Sequence, residues 1–212
     1  VTGSWAEPDV PPQPLSAKGR QTREAIELAA RKLFAERGFH GTTLGDITAA
    51  AGKSPAVFYR YFSDKEDLLA VLAERFLHEV VEPSGSSIDL PSSPDDDGFF
   101  RAVVTGYWNM FKQNIGIMIA VAQLAATQPR FAAVQNEFRR LGMNIVAASV
   151  RHAQEQGYAA DLNPEHTAAA IALLFENFTS VFVGANGLGV EMTDEDAITT
   201  LSKIWKKTLY GS

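Results

Sequence analysis

Segment after segment of this chain places apolar residues three and four positions apart, with short polar stretches rich in Ser, Thr, Asp and Gly between them. That is the period of a helix buried along one face. No run alternates apolar and polar residues long enough for a half-buried strand, and no segment repeats another. The chain is therefore expected to be all-α. A first helix is predicted over about 20–37, with Ile26, Ala29, Ala30, Leu33 and Phe34 on one stripe and Gly38 as its stop. A short second helix starts at Thr43, where Thr43 to Asp46 has the reciprocal-capping pattern, and Gly52 makes the following turn. The third opens with Ser54 as N-cap and Pro55 in the first turn, and Phe58 and Phe62 form an inward pair. Ser63 to Glu66 is read as another capping box, opening a fourth helix that runs to about 82. After a Ser/Pro/Asp/Gly stretch at 83–97, read as a mobile loop, five more helices are expected at about 98–113, 115–127, 131–156, 164–185 and 194–210.

The composition removes several function classes. With no cysteine among 212 residues there is no disulfide framework, thiolate metal site or cysteine nucleophile, and four scattered histidines make no metal cluster. The longest apolar run, Ile115 to Ala126, is too short to span a bilayer. No basic and apolar leader opens the chain, so a cytoplasmic location and no membrane partner are expected. No metal, cofactor or catalytic set is expected either. The Gly184–Gly189 stretch follows a helix rather than a strand, and no Ser/His/Asp trio sits on a recognisable frame.

Charge is distributed unevenly. The whole chain carries −6, yet residues 18–65 hold nine Lys/Arg against five Asp/Glu. Residues 66–212 hold ten against eighteen. A basic module on an acidic body implies that one end meets a polyanion. Three regions follow: a Pro-rich arm at 1–17, expected to be disordered; a basic three-helix module at 18–64; and a larger helical body at 65–212.

Residues 43–62 read as helix, glycine turn, helix, with Ala49 to Ala51 small enough for close packing before the bend. The outward face from Ser54 to Arg60 can enter a major groove. The segments LFAERGFHGTTL and DITAAAGKSPAVFYRYFSDKEDLL carry more than the bare pattern. Over residues 20–72 the chain closely resembles the DNA-binding domain of the TetR family of transcriptional regulators. That resemblance implies that Thr43 caps the second helix and reaches phosphate, and that Lys53, Tyr59, Tyr61 and Lys65 grip the DNA backbone. It implies a groove-facing surface made of Ser54, Pro55, Ala56 and Arg60. Gly45 stands where family members often have a base-reading arginine, and Pro55 and Ala56 lack hydrogen-bonding side chains. Methyl contacts, Arg60 and DNA shape would then carry more of the discrimination. The arm, with Lys18 and Arg20, would add a minor-groove contact.

The body is rich in aromatic residues and methionine: Tyr107, Trp108, Met110, Phe111, Met118, Phe131, Phe138 and Met143. These are either plain core or the lining of a pocket between helices, which is where the family keeps its effector site. Tyr107, Trp108, Phe111, Met118, Phe138, Met143, Phe175 and Asn177 are the candidate ligand contacts, with Glu176 and Asn177 as polar anchors. The last two helices have wide apolar faces, including Ala168, Ile171, Phe178 and Phe182, then Leu201, Ile204 and Trp205. Intrachain packing explains them, as does the four-helix dimer interface that the family makes there. The resulting expectation is a homodimeric DNA-binding regulator, a repressor released by a small apolar effector. The alternative is a helical small-molecule-binding protein or enzyme without DNA function.

Overall fold

The computed structural model describes residues 15–81, 90–184 and 188–211. Among these the chain is helical throughout, with no strand. The elements are α1 (Ala17–Arg37), α2 (Leu44–Ala50), α3 (Pro55–Phe58), α4 (Lys65–Val81), α5 (Asp97–Gln113), α6 (Ile115–Ala125), α7 (Pro129–Glu155), α8 (Pro164–Gly184) and α9 (Asp194–Tyr210). Most of the expected arm, and residues 82–89 of the expected loop, lie outside the described residues. What is described of the arm is already the start of α1, with Ser16 as its N-cap accepting from the Gly19 N–H at 3.1 Å.

Local chemistry sets the ends. At α2, Asp46 N–H donates to the Thr43 hydroxyl at 3.1 Å, and Thr43 N–H donates to the Asp46 carboxylate at 2.9 Å. Thr193 and Asp196 repeat the arrangement at α9. The box expected at Ser63 and Glu66 is displaced by one residue. Asp64 accepts from Asp67 N–H at 2.7 Å and Asp67 accepts from Ser63 N–H at 2.9 Å, while Glu66 turns to Gln128 at 2.9 Å. Ser54 occupies the N-cap of α3 without a side-chain capping bond. Gly52 has φ of 63°, which a residue with a Cβ adopts only under strain, so the α2–α3 bend needs glycine there.

The buried side chains form two clusters. The first joins α1 to α4 with α6 and the start of α7, around Ile26, Phe34, Ile47, Phe58, Phe62 and Leu69. It extends beyond the expected 64/65 division, because Leu68, Leu69 and Leu72 of α4 complete it. The second joins α5, α7, α8 and α9 around Phe100, Val150, Leu201 and Trp205. A buried carboxylate, Glu27, pairs with Arg23 of its own helix at 3.0 Å and ties α1 to α4 through Arg75 at 2.6 Å. On the other side of α1, a Cβ at Gly116 would lie 2.4 Å from the Ala35 nitrogen, so α6 rests directly on the α1 backbone.

Two expectations about the body need correction. Ala168, Ile171, Leu201 and Trp205 are buried inside this chain, as intrachain packing requires, because their helices turn those faces toward α5 and α7. And α8, rather than the shorter apolar stretch at α6, is the helix whose length and composition would suffice to cross a membrane. Only 22% of its apolar window is buried. Its uncovered side presents Leu173 and Leu174, and Glu176 near its middle is ion-paired.

Candidate functional site

Two features stand out, one on the surface of the N-terminal module and one inside the helical body. The first is the face presented by α3. Phe58 and Phe62 close the cluster beneath it, at 0% and 2% exposure. The neighbouring Tyr59 is 61% exposed, and Ser54, Pro55, Ala56 and Arg60 are exposed with it. Only Pro55–Phe58 is α-helical, and the chain continues as turn through Tyr61. Lys53 is half-buried at the bend, its N–H bonded to the Thr48 carbonyl at 2.9 Å. Thr43 is exposed beside this face, its hydroxyl committed to Asp46.

Two residues expected on this face are held differently. Tyr61 is half-buried against the first cluster. Lys65 is half-buried too: its ammonium donates to the carbonyls of Phe39 and Thr42, each at 2.7 Å, and sits 4.2 Å from the centre of the Phe39 ring. Burial lowers its pKa from the usual lysine value, with Glu66 pulling the other way. The α1–α2 turn leaves carbonyls without helical partners, and Lys65 is the donor that satisfies them.

The second feature is a cavity of about 120 Å³ at the seam between the two clusters. Its wall includes Tyr107 and Phe111 from α5, Met118 and Val121 from α6, Phe138 from α7 and Phe175 from α8. Of the expected contacts, Tyr107, Phe111, Met118, Phe138 and Phe175 come together at one void, and Val121 joins them unexpected. Trp108, Met143 and Asn177 do not join them. Each sits one helical position away from a lining residue, and about 100° of rotation carries it onto another face. Trp108 is 2% exposed and packs toward Phe178, with ring centres 6.3 Å apart. Met143 packs against the second cluster, and exposed Asn177 donates to the Leu173 carbonyl of its own helix at 3.3 Å. Ile171 and Trp205, expected at a dimer interface, line the cavity instead.

The cavity has one polar region. Arg139 Nε donates to Glu176 Oε2 at 2.6 Å and Arg139 Nη2 to Oε1 at 2.8 Å, a two-point ion pair that raises the arginine's pKa. Gln135 Nε2 adds a bond to Oε1 at 2.9 Å. Burial pushes the Tyr107 phenol up to about 12, with the nearby Thr179 hydroxyl opposing the shift and the Glu176 charge adding to it. Gln135 and Arg139 escape a reading based on apolar period, since polar residues on a long helix look like solvated surface. No group of His, Cys, Asp and Glu that would hold a metal ion occurs among the described residues.

Residues 26–72 match the family model for bacterial regulatory proteins of the tetR family. Over 187 residues the chain is 24% identical to the HTH-type transcriptional regulator EthR of Mycobacterium tuberculosis, spanning 88% of this chain and 86% of that one. It is 29% identical over 140 residues to the HTH-type transcriptional repressor KstR2 of the same species, 64% of this chain and 67% of that one. A tetR-family transcriptional regulator from Streptomyces coelicolor shares the fold, with a TM-score of 0.67 at 16% identity over 88% of this chain and 79% of that chain. Through its N-terminal domain, and with a fold that matches along most of its length, the chain belongs to the TetR family of DNA-binding transcriptional regulators.

Proposed function

We propose that this chain is a homodimeric repressor that binds a near-palindromic operator through paired α3 faces and is released when a small, largely apolar effector enters the cavity. The observation that carries the reading is Tyr59, a large aromatic left 61% exposed directly above a fully sealed core. An aromatic body with a hydroxyl tip suits contact with the sugar-phosphate backbone, and the module beneath it is the basic part of the chain. Thr43, Lys53, Ser54, Pro55, Ala56 and Arg60 complete the proposed interface, with Tyr61 and Lys65 supporting it from behind. Residues 18–64 are the proposed DNA-binding module, and residues 65–212 the proposed effector-binding and dimerisation body.

The outer faces of α8 and α9 support dimerisation. Leu173 is 45% exposed, Leu174 40% and Ile204 40%, with Phe178 and Phe182 half-buried nearby in sequence. Exposed apolar residues gathered on two helices favour a partner surface. Two copies would set their α3 faces roughly 34 Å apart, one turn of duplex DNA. Coupling would run from the cavity wall, because Phe138 stacks on Phe76 of α4 with ring centres 5.0 Å apart. A ligand displacing Phe138 would move α4, and the effector acts only through its preference for the arrangement that does not fit DNA.

The experiment is a gel shift with a selected DNA pool across a salt series. Binding that weakens steeply with salt is expected, and Tyr59→Ala should weaken it across sequences. Absence of any salt-dependent shift would favour a helical small-molecule-binding protein without DNA function.

A further inference from the structure

We infer that the cavity selects an uncharged ligand, largely apolar with one hydrogen-bond donor such as an alcohol, phenol or amide N–H, and rejects carboxylates. This rests on the cavity being the effector site proposed above. Arg139 is the one cation among the lining residues, and its charge is already cancelled by the two-point contact with Glu176. Its Nη1 reaches toward Asn136 on the exposed side, at 3.4 Å.

A carboxylate offers about four acceptor positions. Three at Glu176 are taken: Oε1 accepts from Arg139 and Gln135, and Oε2 accepts from Arg139. The remaining position on Oε2 calls for a donor. An incoming carboxylate has none to give, and it would set a second negative charge beside Glu176 in a half-buried site. To reach Arg139 it must displace Glu176 and leave that group without its partner, which costs more than the new contact returns. The void of about 120 Å³ is near the size of the apolar cavity of about 150 Å³ known to admit benzene, so one ring with a short tail suits it.

The test is titration calorimetry of the full chain at pH 7 with three matched probes: propylbenzene, 4-propylphenol and 4-propylbenzoate. The phenol should bind tightest, and the benzoate at least about tenfold more weakly, as expected where a buried polar group is left unpaired. Glu176→Gln releases Arg139 and should bring phenol and benzoate to within about threefold of one another, since an uncommitted guanidinium pairs with a carboxylate. Arg139→Gln should widen the gap. Far-ultraviolet melts establish that each variant is folded, and if one is not, the other decides the matter. Equal binding of phenol and benzoate to the unaltered chain overturns the inference. So does a ratio that neither variant changes, because desolvation alone would then set it. If none of the three probes binds, the effector reading of the cavity fails, independently of its charge preference.

Discussion

The two apolar clusters are made of the same residue types on the same kind of helix, yet their polar groups are treated differently. In the N-terminal cluster the Thr42 hydroxyl donates to the Gly38 carbonyl at 2.8 Å, Lys65 serves two carbonyls, and buried Glu27 meets two arginines. In the body, the Trp108 indole nitrogen and the Thr179 and Tyr210 hydroxyls are buried without a hydrogen-bond partner, and a void lies along the cluster's edge. Orphaned groups and voids both cost stability. One region is completed for rigidity and offers a fixed surface. The other leaves polar groups unpaired away from the cavity wall as well as a void, so it is the less completely packed of the two.

The largest effect should separate the two regions most clearly. Phe58→Ala empties a sealed site and should cost about 3–5 kcal/mol in urea denaturation, whereas Phe138→Ala only enlarges an existing void and should cost less than half as much. Equal losses would break the contrast. Gly116→Ala pushes a methyl group into the α1 backbone and should cost about 1–3 kcal/mol, felt first in the N-terminal cluster to which α1 and α6 both belong. The smallest effect should be the same in both. Thr43→Ala and Thr193→Ala each remove a capping box and should each cost about 1 kcal/mol.

Acid titration sharpens that last comparison. Hydrogen bonds from Thr43 and Thr193 lower the pKa values of Asp46 and Asp196 from the ordinary 3.8. A lowered carboxylate pKa stabilises the fold above the unfolded value and loses that contribution as pH falls through the folded one. Both variants should therefore show a flatter loss of stability below about pH 4, measured by thermal melts across pH.

The helices, and the capping boxes at Thr43 and Thr193, were legible because they depend on neighbours within four residues. The box at Ser63 slipped because Asp64, one position on, reaches Asp67 and leaves Glu66 to a distant helix. Cavity walls are another matter. Tyr107 and Trp108 are adjacent, both apolar and both largely enclosed, but only Tyr107 faces the void. Period gives the width of a buried face and says nothing about where packing stops. Nor does it pair Arg139 with Glu176, since 37 residues separate them and only the docking of α7 on α8 makes them neighbours. The same docking turned Ala168 and Ile171 inward and left Leu173 and Leu174 exposed.

The absence of a side chain at Gly116 has a mechanical result. Flexible side chains between two helices act as a cushion, yielding by rotamer change before the load is passed on. Here backbone abuts backbone with nothing to yield, and the same short helix supplies Met118 and Val121 to the chamber. A push on that wall is delivered to the end of α1 as by a rod, close to the turn from which Thr43 is hung.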